Sequence, residues 1–89
     1  MNSITHRHHT LALPIGQYKR WVIFRPQVSD PAFVAITFKC VPHSGEHLLL
    51  CNSRFKPFLM SEGTSVWAIE VARASWKQLR KAGWQVSTQ

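Results

Sequence analysis

The sequence predicts an α+β domain: an antiparallel meander of three or four strands with one C-terminal helix packed on one face. Three observations predict it. From Tyr18 onwards, short runs rich in Val, Ile, Phe and Trp recur between Pro, Gly, Asn and Ser breakers. In one run, Ala32, Val34, Ile36, Phe38 and Cys40 fall on alternate positions, the period of a strand with one buried face. From Ile69 the apolar spacing changes to that of a helix.

Residues 1–17 carry no periodic apolar signal and are expected to form a mobile N-terminal arm, leaving 18–89 as a single small domain. His6, His8 and His9 lie in that arm. Two of them are sequence neighbours and nothing nearby completes a metal site, so a solvated arm is expected. The first strand runs from Tyr18 to Arg25 and is closed by Pro26. Pro26 to Pro31 is a loop, because two prolines bracket turn-forming Ser29 and Asp30. The second strand spans Ala32 to Val41. Pro42 to Glu46 signals a hairpin, with Gly45 free to take a positive φ.

The third strand is expected from His47 to about Phe55, stopped by Pro57. If the hairpin centres between Gly45 and Glu46, Cys40 lies opposite Cys51 and Lys39 opposite Asn52. The inner face then carries Leu49, Cys51 and Phe55, and the outer face Leu50, Asn52, Arg54 and Lys56; a slip of one residue exchanges the two. Thr64 or Ser65 could cap a helix from Val66, but Val66, Trp67 and Ile69 favour a short fourth strand over 65–69 that leads straight into the helix. The helix runs from Glu70 to Ala82. Ile69, Ala72, Trp76, Leu79 and Gly83 share one face, with the first four expected against Val34, Ile36, Phe38 and Leu49. Lys and Arg crowd its last turns, where they suit the helix dipole, and Gly83 suits the position just past the end.

The chain has 89 residues, enough for one domain, and 45% of them are apolar, which excludes a disordered tail. Eleven Lys and Arg stand against four Asp and Glu, a net charge of +7, so the natural partner is acidic or polyanionic. No run approaches the roughly 18 apolar residues of a membrane-spanning helix. The apolar patch from Leu11 to Ile15 is too short and Pro-broken for a signal-peptide core. The lack of acids before Asp30 is similar to an organelle transit peptide, but Arg7 is the only Lys or Arg before Lys19. A cytoplasmic protein is expected, with Cys40 and Cys51 as thiols.

Cys40, His43, His47 and Cys51 form C-x2-H-x3-H-x3-C, the residue types of a zinc site. One hairpin would have to supply all four ligands, and the paired C-x2-C spacing is missing. The expectation is therefore two buried cysteines, two surface histidines and no metal. The four acids, Asp30, Glu46, Glu62 and Glu70, are scattered, so no carboxylate pair can be drawn. Neither cysteine has a nucleophile's surroundings, and no Gly-rich phosphate loop is present. The chain is expected to be neither an enzyme nor a cofactor carrier.

Basic residues interleaved with aromatic ones carry the functional expectation. Lys19, Trp21 and Arg25 alternate on one face of the first strand. Phe33, Thr37 and Lys39 share the outer face of the second, beside Asn52, Arg54 and Lys56 of the third. Single-strand and RNA modules hold their ligands on such sheet faces. Arg73, Lys77 and Arg80 offer a second basic strip on the helix. The expectation is nucleic-acid or other polyanion binding through these residues. The alternative is an interaction module or small regulator docking on an acidic protein surface, since Trp and Arg also make interface anchors.

Ala72-Arg-Ala-Ser-Trp76-Lys-Gln-Leu79-Arg-Lys-Ala-Gly83-Trp84 resembles the ending of a group of small uncharacterised cyanobacterial proteins with an A-x-x-x-W-x-x-L-x-x-x-G-W pattern. Trp21-Val-Ile-Phe24-Arg-Pro26 is similar to the W-V-x-x-F-x-P segment that often precedes it in them. The resemblance covers about a fifth of the chain, leaves out the histidine arm and both cysteines, and implies a compact strand-rich domain with a terminal helix and no known activity or site. Three strands followed by a helix is also similar in order to DNA-binding domains of the plant-transcription-factor and phage-integrase-arm kind, an analogy of fold alone.

Overall fold

The chain turns first at Gly16 and Gln17, between β1 (Thr10–Ile15) and β2 (Tyr18–Pro26). Gly16 has a φ of +56° and Gln17 is not among the positive-φ residues, the pattern of a two-residue type II′ hairpin. The computed structural model describes residues 9–41 and 48–87. Residues 10–15 were expected within a mobile arm; instead they form a strand between two others, paired with β2 on one side and with β7 (Gln85–Ser87) on the other. The alternation of Leu11 and Leu13 escapes notice because Pro14 interrupts it. The proline is tolerated because β7 pairs only as far as Ala12, leaving that edge of β1 open beside Pro14.

β2 pairs along its length with β3 (Phe33–Val41), and β3 in turn with β6 (Gly63–Ala68). In the β2–β3 loop, the Asp30 carboxylate accepts a hydrogen bond from the Ala32 N–H at 3.2 Å and the Asp30 carbonyl accepts one from the Phe33 N–H at 3.1 Å. The five-stranded antiparallel sheet has the order β6-β3-β2-β1-β7, more strands than the sequence predicts. The alternation in β3 is as expected: Val34, Ile36, Phe38 and Cys40 are all buried.

The region after residue 47 departs most from expectation. β4 (Leu48–Cys51) and β5 (Pro57–Met60) pair with each other as a separate two-stranded sheet, so β4 does not lie beside β3 and Cys40 does not face Cys51. Residues 52–56, expected to continue a strand, are a turn. The Asn52 side-chain oxygen accepts hydrogen bonds from the N–H groups of Arg54 (2.9 Å) and Lys56 (3.1 Å), which bends the chain back within five residues. Of the expected inner face only Cys51 is buried: Leu49 is 43% and Phe55 52% exposed, whereas Leu50, expected outside, is fully buried. The loop expected over 42–46 lies outside the described residues.

β6 covers most of the expected fourth strand and runs without a break into α1 (Ile69–Lys81), whose first N–H donates to the Ala32 carbonyl at 2.9 Å. Val71, Ala72, Ser75, Trp76 and Leu79 are its buried residues. Gly83, at a φ of +106°, ends it. The Gly83 N–H donates to the Arg80 carbonyl at 3.1 Å and the Trp84 N–H to the Leu79 carbonyl at 3.0 Å, the two bonds of a Schellman motif. That turn buries Trp84 and sends the chain back to pair β7 with β1.

The core lies between the helix and one sheet face: Leu11, Val22, Phe24, Val34, Ile36 and Phe38 meet Ala72, Trp76, Leu79 and Trp84, with Leu50 from β4 in the place expected for Leu49. Trp76 meets Phe24 edge-on, centroids 5.1 Å apart at 72°. Trp67 touches Phe38 at 6.2 Å and Phe58 at 5.7 Å, tying the small sheet to the large one.

Candidate nucleic-acid interface

Register determines which side chains the helix does not cover. Residues paired across an antiparallel ladder point to the same face. Leu11, Val22 and Phe38 form one such row, on the helix side. The next row is Gln85, Ala12, Trp21 and Lys39, and it points the other way. Beside it run Ser87, Thr10, Ile23, Thr37 and Thr64, and beyond them Arg25, Ala35 and Val66. This second face carries Lys19, Trp21, Arg25 and Lys39, and none of its paired residues is acidic.

Trp21 is the centre of the patch. The Lys39 ammonium lies 4.8 Å from its ring centroid and the Lys19 ammonium 5.5 Å. The Lys39 contact follows from direct pairing across β2–β3, and the Lys19 contact from the strand's period of two. Trp21 is half-buried, held by the neighbouring strands with ring surface still in solvent. The Thr37 and Thr64 hydroxyls, on the same face in the next row, share a hydrogen bond at 3.0 Å. Such a surface can hold a flat group by its face and an anion by two or three cations.

The other expected site residues are elsewhere. Arg54 and Lys56 are in the β4–β5 turn and not beside Lys39, because β6 occupies that side of β3. Arg73, Lys77 and Arg80 are exposed on α1, which packs on the opposite sheet face. The nine expected residues are therefore three separate groups: the Trp21 patch, the turn and the helix strip. Thr64 and Gln85 join the patch without having been anticipated, because they depend on the strands β6 and β7; Thr10 and Ile23 point to the same side but are buried.

Cys40 and Cys51 are both buried and lie on different sheets. The Cys40 N–H donates to the Glu62 carboxylate and the Cys51 N–H to the Ser75 hydroxyl at 2.9 Å, while the Cys51 thiol donates to the Gln78 side-chain oxygen. His43 and His47 lie outside the described residues. Among the described residues no three His, Cys, Asp or Glu side chains converge as metal ligands would, and no helix is long and apolar enough to cross a membrane.

No family model, no curated protein and no solved structure matches this chain. Function has to be argued from the surface itself.

Proposed function

We propose that the chain is a small non-enzymatic module that binds single-stranded nucleic acid, or a similar polyanion, on its open sheet face. The observation that carries this reading is Trp21 with an ammonium on either side. An exposed cation–π contact is worth about 0.5–1 kcal/mol. A base stacked on the ring is worth about 1–3 kcal/mol. Giving up both contacts costs about 1–2 kcal/mol, which one stacked base offsets, and it frees Lys19 and Lys39 to meet the phosphates that flank the base. Arg25 extends the cationic track along β2, and Thr37, Thr64 and Gln85 supply hydrogen bonds without charge. The reading includes a cytoplasmic location, since two cysteines in 89 residues are not the disulfide framework of a small secreted domain.

The test is a salt titration with a fluorescently labelled single-stranded oligonucleotide. Three face cations on three phosphates give a slope of log affinity against log salt near −2, at about −0.7 per contact. Trp21→Ala should weaken binding by roughly 5-fold to 150-fold, the equivalent of one stacked base. Binding unaffected by Trp21→Ala, or retention of one protein partner in a nuclease-treated lysate in place of nucleic acid, counts against the reading.

A second reading rests on the helix strip. Arg73, Lys77 and Arg80 are exposed on the far side of the fold from Trp21, where a strand laid on the sheet would not reach them. They suit an acidic protein surface. Charge reversal there should then abolish protein capture while leaving oligonucleotide binding unchanged.

A further inference from the structure

Among the described residues, β6 is an edge strand without the usual protection. Natural sheets blunt an open edge with Lys, Pro, a bulge, brevity or a covering element. The opposite edge, β7, has only three residues. β6 has six, Gly63-Thr-Ser-Val-Trp-Ala68, with no charge and no proline, and no described strand pairs with its outer side.

A cleft of about 330 Å³ runs against that edge. Val66 and Trp67 both line it. Successive strand residues point to opposite faces, so a space touching both lies along the strand's rim and not over either face. Phe58 and Val71 form apolar walls, Ala68 continues the edge and Ser53 gives a polar lip. Val66 is 55% exposed there.

We infer that the β6 edge and its cleft bind an extended acidic peptide of a partner protein, which adds as a further strand and inserts one apolar side chain between Phe58 and Val71. In this mode main-chain hydrogen bonds supply affinity, and a pocket for an alternate side chain supplies selection. Charge argues for an acidic partner and against a second copy of this chain. Arg54 and Lys56 follow Ser53 in the turn that forms the lip, and two copies at +7 each repel. Two acids flank β6: Glu62 precedes it and its carboxylate accepts the Cys40 N–H, and Glu70 follows it, with Arg73 one helical turn further on to offset the charge. The inference does not rest on what Lys19, Trp21 and Lys39 hold, although Thr64 and Val66 of β6 point to the same face as Trp21.

The test is selection of a random peptide library on the full chain, with counter-selection on Val66→Lys, which places a charge at the rim. Acidic peptides with apolar residues at alternate positions are expected. On adding a synthetic copy of an enriched peptide, amide NMR shifts should concentrate at 63–68 and 51–53 and leave Lys19, Trp21 and Lys39 in place. N-methylating alternate peptide amides should weaken binding by about tenfold or more, and N-methylating the intervening ones by less than about twofold. That comparison leaves the protein unaltered, so it stands even if Val66→Lys fails to fold. No enrichment, basic or helical peptides, shifts centred on Lys19, Trp21 and Lys39 in place of 63–68, or a dimer through β6 without peptide would each overturn the inference.

Discussion

Lys39 stands directly across the β2–β3 ladder from Trp21 and holds its ammonium 4.8 Å from the indole centroid, on a sheet face that the helix leaves uncovered. Lys39→Gln removes that charge and keeps the stem. It should lower stability by no more than about 1 kcal/mol, the value of an exposed cation–π contact. If Lys39 meets a phosphate, the salt slope for single-stranded nucleic acid should become shallower by about 0.7. An unchanged slope would place Lys39 outside the interface.

Among the described residues, Phe55 is the one non-glycine residue with a positive φ, +62°, at the end of the β4–β5 turn. The Phe55 N–H donates to the Asn52 carbonyl and the Asn52 N–H to the Lys56 carbonyl, both at 2.9 Å, so Phe55 occupies a position where such turns favour glycine. Left-handed backbone costs an L-residue about 1–2 kcal/mol, and glycine gives back about 0.5–1 kcal/mol in entropy. Phe55→Gly should therefore stabilise the domain by roughly 0.5–1 kcal/mol in chemical denaturation. Phe55→Ala keeps the strain and serves as the control. Glycine less stable than alanine would show that the turn carries no strain.

Ser75 is fully buried, and its hydroxyl accepts the Cys51 N–H at 2.9 Å, fastening β4 to α1. Ser75→Ala leaves that N–H without its acceptor and should cost about 1–3 kcal/mol. Amide exchange at Cys51 should accelerate more than at Ala72 one turn earlier in the helix. Equal acceleration at both would mean that the hydroxyl is not a local fastening.

Trp76 packs edge-on against Phe24 in the middle of the core. Trp76→Ala should cost about 3–5 kcal/mol. For a domain with about 5–15 kcal/mol in total, that is a large share of its stability. Thermal melting of the variant within a degree of the parent would remove Trp76 from the core.

Deleting residues 1–17 separates two views of the N-terminal region. As an arm, it could be removed with the melting temperature unchanged. As observed, the deletion takes away β1, the fully buried Leu11 and the strand with which β7 pairs, and it opens the core beside Val22. Cooperative unfolding should be lost. A truncated chain that melts as the full one does would show that β1 contributes nothing.

How far the sequence could be read depended on the range of each signal. β2, β3, α1 and the β6 strand were legible because their apolar periods lie within each segment and local geometry converts period into face. Gly83 was legible for the same reason, since a helix end needs only its last turn to specify it. Ala72, Trp76, Leu79 and Trp84, the pattern residues of the C-terminal segment, are all buried. The alternation of Lys19, Trp21 and Arg25 was legible too, as a face.

What the sequence could not determine was which strands become neighbours. β4 follows β3 in the chain, yet β6 takes the place beside β3, and this moved Arg54 and Lys56 away from the expected site. β1 and β7 are short, one interrupted by Pro14 and the other only three residues long, and each is stabilised by its pairing with the other and by the core beneath. Strand partnership depends on burying a shared apolar face between segments far apart in sequence, and no single segment encodes that sum. Composition and apolar period determined a basic α+β chain; tertiary pairing alone set Lys39 across from Trp21 and left β6 without a described strand on its outer side.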